Sequence, residues 1–252
     1  MGRAYPMTHA DGGTLLVELL GGRETGLDEG QLLAEVNKVL PTTLLAGDGR
    51  QSMLLVGYDH LSDPARIDLS QTWQFPQARG VLNQCKAVLT IREVFGRPLP
   101  PAQRLEAFRA TVLAACRLTT PAAAWWPTST QLLPPPSPAG PPLMGLLNVR
   151  LFRVEGSNRD VVMDTLGLQV FGLRDLQCHC HDLELPRLAA YLRNAGNYIF
   201  ERGDVIRDGD TIEGMEPGEK WRCLQEEALI PPDRLVIDLD PGEGYAAGQR
   251  FR

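Results

Sequence analysis

The chain has 252 residues, of which 43% are hydrophobic and 22% are charged, and its formal net charge is −6. This length and composition allow a sizeable hydrophobic core and exclude a wholly disordered chain. The mild acidity offers no basic surface for the phosphates of a nucleic acid, and no apolar run approaches the roughly 18 residues of a membrane span.

The cysteines and the N-terminus bear on the compartment. The five cysteines are an odd number at low density, so reduced thiols are expected rather than a disulfide framework. The first apolar stretch is interrupted by Glu18 and is not followed by a small-residue cleavage site, unlike a signal peptide. We therefore expect a cytoplasmic protein that does not insert into a membrane.

The first half of the chain begins with a strand and a helix. After a loose, glycine-rich tail at 1–12, the apolar run at 14–20 predicts a buried strand. Apolar positions recur on one helical face of 28–40, where Asp28 can cap the helix and Pro41 ends it.

Three more strands and a second helix follow. β-Branched and apolar runs predict strands at 52–58, 87–94 and 122–126, and apolar spacings of three and four predict a helix at 102–117. If a further extended piece at 66–73 is left out, the order is βαββαβ, which is the ferredoxin-like order. Two helices would then cover one face of an antiparallel sheet.

Proline dominates the middle of the chain. The stretch 127–143 holds seven of the 20 prolines, and proline fixes φ and removes a backbone donor. We predict an extended connector at 128–143 between an N-terminal half at 13–127 and a C-terminal half at 144–252. A ligand for a domain that binds PxxP motifs is the alternative to a plain linker.

The second half combines strands with one long helix. Strands are predicted at 146–155, 161–172 and 175–181, and apolar positions at spacings of three and four predict a helix at 184–203. "KWRCLQ" and "LVIDLD" read as closing strands. The predicted fold class is therefore α+β, with two antiparallel-sheet halves that are each packed with helices.

The stretch "DLQCHCHDLELPRL" contains a run of residues that can bind metals, from Cys178 and His179 through Cys180 and His181 to Asp182. Side chains alternate faces on a strand, so the cysteines share one face and the histidines share the other. We expect the cysteines in the core under the following helix, and the histidines toward solvent, a groove or a partner. Zinc at His179, His181 and Asp182 is the alternative, and it needs ligands from elsewhere in the chain. No cofactor is otherwise expected.

Two tryptophans in "AAAWWPTS" are further candidates. Trp125 and Trp126 point to opposite faces of a predicted strand, so we expect one in the core and the other at a groove or a partner interface.

The stretch "MDTLGLQVFGLRDL" carries a polar pair and two glycines. Asp164 and Thr165 are expected to begin a strand or to cap a turn, and the alternative is an exposed pair with a catalytic role. Gly167 and Gly172 are expected to permit a bulge or a close approach of another backbone.

Four stretches, "AWWPTS", "NVRLFRVE", "DTLGLQVFGLRDLQ" and "LRNAGNYIFERGDVIRDGDTIEG", resemble a bacterial family known as domain of unknown function 4261. The resemblance is clearest over 85–215. It implies no catalytic residues, because the family carries no assigned activity. By analogy with other uncharacterised cytoplasmic α+β families, it implies an immunity or accessory protein of a toxin or secretion system.

The sequence contains no P-loop, no GxGxxG after a strand and no GxSxG elbow. Our leading hypothesis is a non-enzymatic protein-binding factor whose partner is another protein, such as a cognate toxin or a secretion component. The alternative is an enzyme that uses a groove near His179 and His181, and it is metal-assisted if the zinc site described above forms. A third hypothesis is a structural subunit of a larger assembly.

Overall fold

The computed structural model describes residues 14–21, 43–45, 51–94 and 99–248. The loose tail expected at 1–12 and the helix expected at 28–40 lie outside the described residues. Within the described part of the chain, no helix has the length and apolar character needed to cross a membrane.

The first half contains a six-stranded sheet in which every neighbouring pair is antiparallel. The spatial order is β2-β3-β4-β1-β5-β6. The strands are β1 (Leu16–Gly21), β2 (Thr43–Leu45), β3 (Gln51–His60), β4 (Ala87–Val94), β5 (Ala123–Trp126) and β6 (Gln131–Leu133). The two described helices are α1 (Ala78–Leu82) and α2 (Pro101–Thr119).

The helix α2 connects β4 to β5, and these two strands flank β1 in the sheet. This is one split βαβ unit, and its helix begins at Pro101, where proline is well tolerated. The complete ferredoxin-like order stays a prediction, because it also requires the helix expected at 28–40. The prediction of an extended piece at 66–73 is wrong, since a short 3₁₀ turn at Pro64–Arg66 is followed by bends and turns.

The second half contains another six-stranded sheet, in the order β10-β11-β12-β9-β8-β7. Its strands are β7 (Asn148–Arg153), β8 (Val161–Leu166), β9 (Asp175–Cys180), β10 (Thr211–Glu213), β11 (Lys220–Glu227) and β12 (Leu235–Asp240). Only the pairing of β12 with β9 is parallel among the described strands. The helix α3 (Leu185–Arg202) packs on β7, β8 and β9. The α+β fold class is therefore confirmed.

The strand expected at 161–172 ends earlier than the sequence suggested. Strand β8 stops at Leu166, Gly167 has a φ of +135°, and Leu168–Phe171 forms a 3₁₀ turn. The positive φ at Gly167 breaks the extended conformation, so the second part of the apolar run turns instead of continuing the strand.

The described hydrophobic core continues from one half into the other. Phe108 and Trp126 of the first half belong to the same buried cluster as Leu147 and Leu192 of the second. Leu147 packs directly on α3 at Gly196, where an added Cβ would lie 2.8 Å from a Leu147 methyl carbon. The boundaries at 13–127, 128–143 and 144–252 stay predictions.

The proline-rich stretch is fastened to α2 by one arginine. The guanidinium of Arg109 donates hydrogen bonds of 2.7–3.1 Å to backbone carbonyls of this stretch. The acceptors are the carbonyl oxygens of Ser137, Pro138, Gly140 and Pro141. Strand β6 lies within this stretch, between Pro127 and Pro134, and forms an edge of the first sheet.

Gln71 and Thr72, which are consecutive in one loop, form hydrogen bonds with the backbone of an edge strand in each sheet. The Gln71 side chain accepts a hydrogen bond from the Leu151 amide at 3.0 Å and donates one to the Leu151 carbonyl at 3.3 Å, on edge strand β7. The Thr72 hydroxyl accepts a 3.0 Å bond from the Leu132 amide, on edge strand β6. These contacts cover backbone groups that would otherwise be open to another strand.

Candidate functional site

The cysteine face of β9 is buried, as the alternation predicted. Leu176, Cys178 and Cys180 are fully buried and belong to the main core, against which α3 packs. The two cysteines therefore act as small apolar side chains in this core.

His179 lies under the C-terminal segment of the described chain. The Ala247 amide donates a 3.1 Å bond to the His179 carbonyl, and the His181 amide donates a 2.9 Å bond to the Tyr245 carbonyl. Gly248 then lies against the imidazole, because an added Cβ there would be 2.7 Å from Nδ1 of His179. His179 is thus half-buried, and its ring contacts Gly248 in the C-terminal segment of the same chain.

His181 has different neighbours. Its Nδ1 lies 3.2 Å from Oδ2 of Asp182, which forms an exposed ion pair with Arg159. The hydrogen bond from Arg159 lowers the pKa of Asp182. Among the described residues, no three His, Cys, Asp or Glu side chains come together as a group that could hold a metal ion, so the zinc alternative gains no further ligand there.

The tryptophan expectation needs correction, because both rings are buried. Trp126 belongs to the main core and packs beside Phe108 with ring centroids 6.5 Å apart. Trp125 belongs to a second cluster that contains Leu82 and Leu132. Both faces of β5 are covered, so neither ring is exposed, and Trp126 borders a small cavity between α2 and the proline-rich stretch.

A row of buried polar side chains crosses the second sheet and was not foreseen. Arg150, Asp164, Gln177 and Asp238 stand opposite one another on β7, β8, β9 and β12. All four are buried, and Asp164 and Gln177 have no exposed surface. The expectation that Asp164 begins a strand or caps a turn is therefore wrong. The sequence of β8 carries a signal for this burial, since Asp164 stands between apolar positions on one face of the strand. A carboxylate buried in that way needs polar partners.

Two arginines converge on Asp164. Arg150 binds it through two hydrogen bonds, from Nε at 2.9 Å and from Nη2 at 2.5 Å. Arg234 adds a third bond from Nη2 at 2.8 Å. Charge-assisted bonds of this kind compensate a carboxylate for its loss of water.

Asp175 is a further buried carboxylate, beside Asp164 and Asp238 of this row. It accepts bonds from the Thr165 hydroxyl at 2.9 Å and from the amides of Leu168 and Gly167 at 3.2 and 3.3 Å. Its Oδ2 also lies 3.6 Å from Nε of Arg234. Burial raises the pKa of Asp175 to about 6, although Arg234 and these hydrogen bonds act in the opposite direction.

Gly167 is required by the close approach that was expected for it. An added Cβ would lie 1.7 Å from the carbonyl oxygen of Leu146. At Gly172 the φ is +75° and the space around it is open, so its backbone conformation rather than crowding favours glycine.

The turn after Gly167 contacts the first half of the chain. The Val170 carbonyl accepts a 2.8 Å bond from Arg104 of α2, which also forms a buried ion pair with Glu93. The "DTLGLQVFGLRDLQ" stretch therefore links the polar cluster of the second sheet to the first half.

The buried arginines also hold a surface loop. We call residues 228–235 the Leu229 loop. Arg234 donates bonds to the carbonyls of Ile230 and Pro232 at 3.0 and 2.9 Å, and Arg150 donates one to that of Pro231 at 2.9 Å. At the start of the loop, the Leu229 amide donates a 2.8 Å bond to the side-chain oxygen of Gln177.

The outer side of the Leu229 loop is apolar and open to solvent. The side chains of Leu229 and Leu235 are 52% and 53% exposed, and Pro231 and Pro232 are also exposed. A rigid backbone thus presents apolar groups to water, which is typical of surfaces that bind another molecule.

The family model described as "Domain of unknown function (DUF4261)" matches residues 164–240. The suspected resemblance is therefore confirmed over a segment that begins and ends later than the expected 85–215. The match contains Asp164, Asp175, Arg234 and the whole Leu229 loop, whereas Arg150 lies outside it. No curated protein and no solved structure is significantly similar to the chain.

Proposed function

We propose that this chain, which carries a DUF4261 segment at 164–240, is a non-enzymatic protein-binding factor that docks through the Leu229 loop. The observation that carries the proposal is the combination of exposed leucines with a backbone held from below by buried charged groups. Leu229 and Leu235 are each more than half exposed, while Arg234 beneath them is buried.

Pre-organisation supports this role. Binding costs less conformational entropy when the loop already has a fixed shape. Three consecutive carbonyls, from Ile230 to Pro232, are held by Arg150 and Arg234, and two of those residues are prolines.

The burial of the polar cluster supports binding rather than catalysis. A general acid or base must reach the proton that it transfers in the bound substrate. Asp164 is fully buried and Asp175 almost so, and their oxygens are occupied by arginine, hydroxyl and backbone donors. These groups therefore shape the loop instead of meeting a substrate.

The compartment and partner class form part of the same proposal. The five cysteines all lie among the described residues and are not joined by disulfides there, which supports a reducing environment such as the bacterial cytoplasm. By analogy with uncharacterised α+β families, the partner is a cognate toxin or a secretion component, and the protein is its immunity or accessory factor.

The proposal is tested by affinity capture from a lysate of the cells that express the protein. Three tagged baits are compared: the wild type, the double variant Leu229→Ser/Leu235→Ser, and Leu55→Ser. Leu55 is a matched control, since it is also an exposed leucine, at 46%, but lies on β3 of the first sheet.

We expect the wild type and Leu55→Ser to retain the same stoichiometric protein and the double variant to lose it. Circular dichroism melting curves establish that all three baits are folded. Equal retention by the double variant, or the lack of any stoichiometric protein at physiological salt, would refute the proposal.

A further inference from the structure

The cavity that Trp126 borders lies between α2 and the proline-rich stretch, and no residue of the Leu229 loop lines it. We call it the Trp126 cavity. We propose that it binds a small neutral aromatic molecule that carries a hydrogen-bond acceptor. Binding there is independent of the docking role of the Leu229 loop.

The walls of the Trp126 cavity are mainly apolar. Helix α2 forms one side, and the proline-rich stretch with the residues that follow it forms another. The rings of Phe108 and Trp126 are tilted by 60° to each other, with centroids 6.5 Å apart. A further ring can join such a pair edge to face, which favours an aromatic ligand. Apart from the prolines, the apolar side chains of the lining are those of Leu105, Phe108, Val112, Trp126, Met144 and Leu146.

The Trp126 cavity is small, and its outer wall is held in place. Its volume is about 310 Å³ when the open mouth is included. Small-molecule sites begin near this size, so the cavity fits a single ring with a short substituent rather than a larger ligand. Both Nη nitrogens of Arg109 donate to carbonyls of the proline-rich stretch, and the Met144 amide donates a 3.0 Å bond to the Pro141 carbonyl. A wall that is already fixed lowers the entropy cost of binding.

Trp126 brings a hydrogen-bond donor without an acceptor to this cavity. It is 3% exposed, and among the described residues its Nε1 has no hydrogen-bond partner. The ring lies against Gly145, the residue after Met144 of the cavity lining, since an added Cβ at Gly145 would be 2.4 Å from Nε1. The Gly145 carbonyl instead accepts bonds from the Ser129 hydroxyl at 2.5 Å and from Nε2 of Gln131 at 3.2 Å.

This unpaired donor selects the chemistry of the ligand. A buried donor costs free energy until an acceptor reaches it. Water fits less well than a ligand, because a buried water usually has about three polar partners and this lining is mainly apolar. A carbonyl or ether oxygen on an apolar ring supplies both the acceptor and the apolar surface. A neutral molecule is favoured, because Arg109 is the only charged residue among the described residues that line the cavity, and its Nη nitrogens are used on backbone carbonyls.

The test is an NMR titration of the full chain, labelled with ¹⁵N in the tryptophan indoles and ¹³C in the methionine methyl groups. Acetophenone is the probe with an acceptor, and toluene is the probe without one. The Trp126 indole signal is assigned by its loss in Trp126→Phe, which keeps a ring in the wall but removes the donor. The exposed Trp73 and the fully buried Met163 of β8 are internal controls.

We expect both probes to shift the Met144 methyl signal and neither to shift the signals of Met163 and Trp73. Acetophenone alone should move the Trp126 indole proton downfield, because only its carbonyl accepts a hydrogen bond. In Trp126→Phe the affinity for acetophenone should fall by about 5-fold, and the affinity for toluene should change by less than about 2-fold.

Three outcomes would overturn the proposal. If neither probe shifts the Met144 and Trp126 signals, the cavity holds water only. If the probes bind but acetophenone leaves the Trp126 proton in place, the donor does not select the ligand. Equal shifts at Trp73 and Trp126 would mean nonspecific binding to tryptophan. The wild-type spectra alone decide all three, with the Trp126 signal assigned through its contacts to Phe108 if Trp126→Phe does not fold.

Discussion

Two arginine–aspartate pairs lie at opposite ends of the hairpin formed by β7 and β8, and they differ mainly in burial. In the pair of Arg150 and Asp164 the side chains are 6% and 0% exposed. In the pair of Arg159 and Asp182 they are 66% and 48% exposed. Both arginines bind their aspartate through two nitrogens.

Burial gives the pair of Arg150 and Asp164 a role that the exposed pair lacks. Removing two charges from water is costly, so a buried pair is a poor source of stability in itself, although breaking it is strongly destabilising. The buried arginines use their remaining donors on the backbone of the Leu229 loop, whereas the exposed pair only connects two turns at the surface. We conclude that the buried cluster serves to fix the shape of a surface element.

The largest effect is expected when the buried cluster loses an arginine. Arg234→Met removes a partner from both Asp164 and Asp175 and removes donors from the Leu229 loop. We expect the free energy of unfolding to fall by about 3–5 kcal/mol, because buried carboxylates lose their compensation. Urea denaturation followed by tryptophan fluorescence measures this loss, and hydrogen exchange of the Leu229 amide should accelerate.

The matched control for this change is Arg207→Met, an exposed arginine at the same end of the sheet. It should leave the urea midpoint unchanged. Equal midpoints for the two methionine variants would mean that the buried cluster does not stabilise the fold.

A pH effect of intermediate size is expected from Asp175. Its pKa is raised from 3.8 to about 6, so the folded protein binds a proton more readily than the unfolded chain does. This contribution to stability is fully present below the unfolded pKa and is lost as the pH rises through the folded pKa. Between pH 4 and pH 7 the free energy of unfolding of the wild type should fall by about 2 kcal/mol relative to that of Asp175→Asn.

The comparison with Asp175→Asn removes the contributions of all other titrating groups that the two proteins share. Urea denaturation at several pH values provides the measurement. A difference between the two proteins that stays constant, or that grows in favour of the wild type as the pH rises, would contradict the burial argument.

A smaller effect should separate the two functions of the Asp175 side chain. Asparagine can keep an oxygen at the Oδ1 position for the Thr165 hydroxyl and the Leu168 amide, and it loses only the Oδ2 acceptor of the Gly167 amide, whereas alanine loses all three bonds. We therefore expect Asp175→Ala to be less stable than Asp175→Asn by about 1 kcal/mol, the usual cost of losing a cap. Thermal unfolding at pH 7 compares them, and equal melting temperatures would show that these hydrogen bonds contribute nothing.

The smallest effect is expected at the exposed pair. Arg159→Ala should leave the urea midpoint unchanged, because solvent screens exposed ion pairs. The pKa of Asp182 should nevertheless rise toward its ordinary value, since the Arg159 hydrogen bond lowers it. Titration of the Asp182 carboxyl carbon by NMR detects this rise, and an unchanged pKa would indicate that the ion pair does not form in solution.

Local periodicity explains what the sequence could predict. Alternation on β9 predicted a buried cysteine face, and apolar spacing predicted the helix that lies at Leu185–Arg202. Both depend on residues a few positions apart, which a single sequence displays directly.

The buried cluster could not be predicted because its members are distant in the chain. Arg234 and Asp164 are separated by 70 positions, and Gln177 and Asp238 by 61. Only the parallel pairing of β12 with β9 brings them together, and periodicity within one segment carries no information about that pairing. The histidines of β9 suggested a metal or partner site because they are close in sequence. The residues that hold the candidate docking loop are close only in space.

The contacts of Gln71 and Thr72 have a consequence for the cooperativity of unfolding. Each residue satisfies the backbone of an edge strand, Gln71 on β7 and Thr72 on β6, so the same short loop completes both sheets. Loss of the first half would uncover the Leu151 backbone on β7, and loss of the second sheet would leave the Gln71 side chain without these partners. We therefore expect the described parts of the two halves to melt in a single calorimetric transition, despite the proline-rich stretch between them.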